Sequence, residues 1–402
     1  MHESLTSIVS RRARAADDAF ARVGAFYFTS RYGAKRGDAA ISDFTFGNPN
    51  EMPLQGLVDA LRKAAIPQDK NWFAYKTSEP EPQQFLAGRL SAELGLAFAP
   101  ADIALTTGAF AAIMVAVRLV LDAGDEAILS EPAWFCYEPC LLAADAVPVK
   151  VPLREPRFDL DIGAIEAAIT PRTGLVIVNS PHNPTGRIYD RATYEALAAM
   201  LDRASDRIGR RIFLLSDEPY RRLRFDGRPF VSPASIYPWT LIDYSYGKVL
   251  LAPGQRLGYL AISPLMPQAD REALQQVLFS VQMALGWCFP DAVMQHSIRD
   301  LEELSIDQAA LARRRDLLVQ ALRGAGYDVL DPEGTFYLWA RWPDDPERLW
   351  NALADRDVYV MPGTILGAPG YFRISLTASD QMVERALDAF AAARGQARPR
   401  RS

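Results

Sequence analysis

Short apolar runs alternate with longer helical patterns through the middle of the chain. Residues 103–106, 127–130, 175–179, 212–216, 241–245 and 259–262 read as strands, and several are almost continuously apolar, as strands covered on both faces are. Residues 110–121, 160–169 and 191–205 carry the helical period between them. This alternation predicts an α/β domain with a largely parallel sheet from residue 72 to about 290. A long helical stretch is expected over 291–323, with the arginines at 313–315 on a solvated face. Strands at 335–341, 359–361 and 372–375 then mix with helices at 346–355 and 381–394, the pattern of a smaller α+β domain.

Polar residues concentrate where these strands end. The clusters are Thr106-Thr107-Gly108, Asn179-Ser180-Pro181-His182-Asn183, Ser216-Asp217-Glu218 and Tyr244-Ser245-Tyr246-Gly247-Lys248. Ligands of open α/β sheets bind beyond the carboxyl ends of the strands, so four such clusters would line one crevice.

A length of 402 residues exceeds one compact core and favours two domains. The expected division is 1–45 joining the small domain, 46–290 as the large α/β domain, and 291–402 as the small α+β domain. A net charge of −5 argues against nucleic acid as a partner, because phosphate-binding surfaces need cationic excess. The basic tail from Arg394 to Arg401 reads as a solvated, frayed terminus. The longest apolar stretch, 109–121, is shorter than a bilayer span and contains Arg118, which speaks against a membrane segment. The opening Met-His-Glu-Ser-Leu has no basic region followed by an apolar core. Cys136, Cys140 and Cys288 form no CxxC pair, which fits buried thiols in a reducing cytoplasm. His2, His182 and His296 lie far apart, so no metal site is expected.

Each cluster suggests chemistry, and each alone also has an ordinary structural reading. Thr106 to Phe110 ends a strand and opens a helix, where free amides bind anions; it can equally be a turn. Lys248 can form a Schiff base with an aldehyde cofactor. Ser245 and Arg256, eight residues beyond the lysine, can hold a phosphate, although a lysine and an arginine are commonly surface residues. Asp217 can keep a pyridine nitrogen protonated, which makes the ring an electron sink. Tyr220 can donate to a ring phenolate. An Asp-Glu pair after a strand can also cap a helix. Trp134 can stack on a ring or pack in a core, and Asn183-Pro184-Thr185-Gly186 is a natural turn.

Taken in order, Pro181-His182-Asn183-Pro184-Thr185-Gly186, Ser216-Asp217-Glu218-Pro219-Tyr220, Ser245-Tyr246-Gly247-Lys248 with Arg256, and Phe372-Arg373-Ile374-Ser375 resemble the class I/II aminotransferases of the fold-type-I pyridoxal-phosphate superfamily. The resemblance begins at Phe46-Gly47-Asn48-Pro49 and so covers most of the chain. It implies that fold, a pyridoxal 5'-phosphate cofactor, and transfer of an amino group from an L-amino acid to a 2-oxo acid. Lys248 would carry the cofactor as an aldimine and shuttle the proton. Asp217 would pair with the ring nitrogen, Asn183 and Tyr220 would bond the phenolic oxygen, and Trp134 would stack on the ring. Gly108, the amides of Ala109 and Phe110, Ser245 and Arg256 would seat the phosphate. Arg373 would clamp the substrate carboxylate with Asn183 and the backbone at Gly47. Tyr75 would reach the phosphate of a neighbouring subunit, which implies a homodimer with shared sites.

The sequence departs from the family pattern in places. Pro80 stands where a glycine is usual after Tyr75, so the loop over residues 75–82 should be shaped differently. Pro219 is expected in a helix's first turn, and Trp287-Cys288-Phe289 are expected to border the substrate's side chain. A pyridoxal-phosphate-dependent lyase, decarboxylase or oxidase is the alternative activity. A non-catalytic ligand sensor fused to a DNA-binding domain is disfavoured by the acidic charge and the short segment before Phe46.

Overall fold

The computed structural model describes residues 8–342 and 345–397. Its strands are β1 Ser42–Phe44, β2 Ile103–Thr106, β3 Glu126–Glu131, β4 Val147–Pro152, β5 Thr173–Asn179, β6 Phe213–Asp217, β7 Thr240–Ser245, β8 Gly258–Ile262, β9 Asp328–Leu330, β10 Tyr337–Arg341, β11 Val358–Pro362 and β12 Tyr371–Ser375. A seven-stranded sheet has the order β2-β8-β7-β6-β5-β3-β4. Only β8 runs against its neighbours; the remaining pairs are parallel.

The six apolar runs become β2, β3, β5, β6, β7 and β8 because both faces of this sheet are covered. Along β5, Leu175 and Ile177 pack with Val117 and Leu215 on one side. Val176 and Val178 pack with Leu197 and Leu201 on the other. Each such side chain contributes about 1.5–3 kcal/mol relative to leaving it exposed. Leu197 and Leu201 belong to the helix Arg191–Ile208, whose N-cap Asp190 accepts from Thr193 N at 2.8 Å. The helix expected at 110–121 spans Ala109–Val120, and that at 160–169 spans Ile162–Ala168.

A second, five-stranded sheet has the order β1-β11-β12-β10-β9. Strand β1 lies parallel to β11, with Ser42 opposite Val358, so a segment from the start of the chain completes a sheet made from its end. The buried cluster containing Phe44, Tyr244, Tyr259, Leu338 and Ile374 spans both sheets.

Several expectations are corrected. The stretch 291–323 is broken into Ala292–His296, Ile298–Glu302 and Gln308–Gly324, the last capped by Asp307. Of the arginines at 313–315 only Arg313 is exposed. Arg314 is buried and paired with Glu51 and Asp380, while Arg315 lies over Phe225 at 4.6 Å. Arg394 is helical and sits over Trp342 at 4.0 Å rather than in a frayed tail. His2, the opening residues and positions 398–402 lie outside the described residues. All three cysteines are free and buried. Among the described residues, no helix is long and apolar enough to cross a membrane.

Candidate active site

The carboxyl ends of β2, β5, β6 and β7 open on one edge of the large sheet. There a cavity of about 230 Å³ is bounded by Ala109, Asn183, Asp217, Ser245 and Lys248. Strand β12 of the small sheet adds Arg373, and the loop after β1 adds Phe46, Gly47 and Asn48. The site therefore lies where the two sheets meet.

Asp217 ends β6. Its Oδ2 accepts from Asn179 Nδ2 at 3.2 Å and from the Tyr137 hydroxyl, whereas its buried Oδ1 has no partner. Burial raises the Asp217 carboxyl above its usual range, opposed by the adjacent Asp243 carboxyl, the Tyr137 hydroxyl and the Lys248 charge. Lys248 sits in the one-turn helix Tyr246–Val249, where Ser245 Oγ accepts from Gly247 N. Its amine is 5.8 Å from the centre of the Tyr220 ring. Burial pushes the Tyr220 phenol well up, and Tyr337 adds to the rise. Burial also pushes Tyr337 up, but Arg373, Lys248 and a hydrogen bond with Tyr220 together hold it below its ordinary value.

Arg373 is buried at 2% exposure. One terminal nitrogen donates to Asn183 Oδ1 and the other to the Thr45 carbonyl, each at 2.8 Å. Its guanidinium lies 3.9 Å over the Tyr337 ring. Each terminal nitrogen keeps a second hydrogen, so a fixed fork stands at the cavity wall. Gly47 lets the loop approach this wall, since a Cβ there would come 2.5 Å from the Phe336 ring.

At the other end, the helix Ala109–Val120 starts with free amides at Ala109 and Phe110. Gly108 does not line the cavity. It makes room for Arg256, because its Cβ would fall 2.7 Å from a terminal nitrogen of that side chain. Arg256 is fixed by donation to the Pro253 carbonyl at 2.8 Å. Trp134 meets Phe110 edge-on at 5.1 Å and Tyr137 at 5.3 Å.

Other expected residues fall elsewhere. Tyr75 is 86% exposed and packs on Phe289 at 4.8 Å, outside the cavity of its own chain. Trp287, Cys288 and Phe289 do not line that cavity either; its aromatic lining is Phe46, Phe110, Trp134 and Phe135, with Tyr220 and Tyr337. Pro80 is the first residue of the helix Pro80–Leu94, a position that suits its fixed φ and missing N–H. Pro219 lines the cavity from a turn, not a helix. Tyr137, Tyr337 and Phe135 carry no local motif that marks them in the sequence, while Phe46 opens the Phe46-Gly47-Asn48-Pro49 motif and Asn179 already stood in a strand-end cluster.

A lysine amine, a buried carboxylate and an arginine fork around one cavity are the groups that amino-acid chemistry on an aldehyde cofactor requires. The family model for aminotransferase class I and II matches residues 40–390, and the chain belongs to that family of pyridoxal-phosphate-dependent enzymes. The aspartate/prephenate aminotransferase of Thermus thermophilus is 32% identical over 359 residues, covering 88% of this chain and 91% of its own. The aspartate aminotransferase of Rhizobium meliloti is 30% identical over 349 residues, covering 82% and 83%. Among solved structures, an amino transferase from Eubacterium rectale superposes with a TM-score of 0.85 at 29% identity over 98% of both chains. The Thermus thermophilus aspartate aminotransferase with maleate superposes at 0.80, with 28% identity over 96% and 99%. These names speak for fold type I and for amino-group transfer, and they lend nothing to the lyase, decarboxylase or oxidase alternative.

Proposed function

We propose that pyridoxal phosphate is held in this cavity on Lys248 and that the enzyme moves the amino group of an L-amino acid to a 2-oxo acid. The observation that carries the reading is the partnerless Oδ1 of Asp217, buried at the end of β6 in the cavity Lys248 also lines. A buried carboxylate oxygen without a donor fits a protonated ring nitrogen. The free amides of Ala109 and Phe110, with Ser245 and Arg256, suit a phosphate, and Gly108 leaves Arg256 the room to serve. Trp134 would flank the ring, and Asn183 and Tyr220, which also line the cavity, would bond its phenolic oxygen. Bound there, the cofactor supplies a positively charged ring that accepts the electron pair from the substrate's Cα.

Arg373 binds the substrate carboxylate bidentately, supported by Asn183 and the backbone at Gly47. This holds Cα beside Lys248, whose freed amine takes the Cα proton and returns it on the cofactor side. The side-chain end of the cavity is aromatic, with Phe46 and Phe135 in edge contact at 6.3 Å, so an apolar or aromatic amino acid fits this chain's own residues. Exposed Phe73, Tyr75 and Phe289 support a homodimer in which Tyr75 reaches the partner's phosphate. The pairing of β1 with β11 supports grouping residues 1–45 with 291–402 and leaving 46–290 as the cofactor-binding domain. Three free thiols favour the cytoplasm.

An assay that follows the amino group tests this. An amino donor should convert the bound cofactor to its amine form with one equivalent of 2-oxo acid, and Lys248→Ala should lose the visible band. Release of ammonia, peroxide or CO2 without that conversion would sink the proposal, as would an unchanged spectrum in Lys248→Ala. A donor panel that favours aspartate over aromatic amino acids would overturn the side-chain reading.

A further inference from the structure

One buried acid beside the site has no task in this scheme. Asp243 on β7 stands opposite Asp217 in the parallel ladder with β6, so both side chains project from the same face of the sheet. Asp243 is fully buried, and neither of its carboxyl oxygens has a hydrogen-bond partner. Across the ladder on its other side is Leu260, which offers no polar side-chain atom. Two carboxylates here would repel each other, and Asp243 would find no donor. A single proton between them removes one charge and supplies the missing donor.

We propose that Asp243 is held as a neutral carboxylic acid that donates a hydrogen bond to Asp217, keeping Asp217 as the anion that faces the cofactor's ring nitrogen. Asp243 is thus a positioning residue, and the second half of this statement rests on the cofactor reading above. The surrounding groups decide where the proton sits. Lys248 and the Tyr137 hydroxyl both favour the anion at Asp217. Glu218 is the other acid nearby, but Ser216 and Ser232 donate to its Oε1 at 2.8 and 2.5 Å, and Arg221 lies 3.5 Å from its Oε2. Asp243 has no cation of its own. Burial raises its carboxyl well above the usual range, and the Asp217 and Glu218 charges add to this.

The test reads charge and spectrum in the full-length holoenzyme. Near neutral pH an Asp→Asn change normally removes one negative charge, as in Asp206→Asn, whose side chain is 73% exposed. Asp243→Asn should leave native electrophoretic mobility at the wild-type value, because no charge is lost; a one-charge step equal to that of Asp206→Asn overturns the proposal. Should the variant not fold, the wild-type infrared spectrum decides. A protonated-carboxyl C=O band should persist at about pH 9, well above the Glu218 value of about 7, and its absence overturns the proposal.

The positioning role is read from the pH midpoint of the cofactor's visible band. Asn still donates to Asp217 and should keep the wild-type midpoint. Leu cannot donate, so Asp217 becomes more basic and draws the proton from the ring. With less positive charge nearby, the Lys248 nitrogen keeps its proton to higher pH, an upward shift of about one unit. Equal midpoints in the Asn and Leu variants overturn the role. A wild-type protein that develops no visible band with pyridoxal phosphate overturns the cofactor reading instead, and the mobility result stands apart from it.

Discussion

A single methyl group added at Gly108 should damage both the fold and the phosphate seat, by two separable routes. The residue sits at φ 89° and ψ 173°, a region open essentially to glycine alone, so strain costs Gly108→Ala about 1–3 kcal/mol. The new Cβ would also stand 2.7 Å from one terminal nitrogen of Arg256 and 3.1 Å from its guanidinium carbon. The guanidinium must then leave the Pro253 carbonyl, to which it donates at 2.8 Å, and turn from the helix start proposed to bind the phosphate. Losing a charged hydrogen bond to the phosphate costs about 1.5–3 kcal/mol, or roughly tenfold to a hundredfold in cofactor affinity. Chemical unfolding of the cofactor-free protein measures the strain as a lowered midpoint at unchanged slope, and equilibrium titration with pyridoxal phosphate measures the seat. Arg256→Ala removes the clash and leaves the strain. In that background Gly108→Ala should still destabilise the fold, but its effect on affinity should shrink to about threefold or less. Equal affinity losses in both backgrounds would refute the displacement of Arg256, and an unchanged unfolding midpoint would refute the strain.

Two further outcomes follow from the geometry. Burial pulls His182 down from 6.5 to about 3, so the folded state holds it neutral while the unfolded chain protonates; stability is complete above pH 6.5 and falls by up to about 5 kcal/mol as pH drops towards 3. His182→Gln should flatten that acid limb in unfolding midpoints measured against pH, and an unaltered limb would contradict the assignment. Arg373→Lys replaces a fork anchored on Asn183 and Thr45 with a point charge; kcat/KM should fall by about 10- to 100-fold, chiefly through KM, with the visible band retained. A normal KM would show that the carboxylate is bound elsewhere.

The parts of the fold that were legible in the sequence are those whose burial is uniform. Strands such as β5 are covered on both faces and read as unbroken apolar runs. Strand β4, Val147–Pro152, is an edge with Pro148 and Lys150 exposed or half-exposed, which suits an edge but leaves no apolar run to read. Strands β1 and β9 have three residues each, too few for a period to emerge. In the helix Arg11–Phe28 only Val23 and Phe26 are buried, so its apolar stripe is thin. The helix Pro80–Leu94 begins with two prolines in its first turn, which read locally as a loop and structurally as a helix start.

For the site, legibility followed distance along the chain. Residues at strand ends announce themselves in short motifs, and the parallel sheet gathers them on one edge whatever the intervening sequence does. Arg373 was found only through its resemblance, since its partners Asn183 and Thr45 are 190 and 328 residues away. Tyr137, 80 residues from the Asp217 it bonds, has no signal of its own. Asp243 is different, because the signal was present: it is the one charged residue inside the apolar run Leu241-Ile242-Asp243-Tyr244. A strand covered on both faces gives such an acid no water, so it must find a partner, lose its charge, or both. The parallel register supplies Asp217 as the partner, and that partner is itself an acid. The remaining way to make the site neutral enough to bury is a shared proton, which is why the acid inside the strand and the acid at its neighbour's end are best treated as one unit.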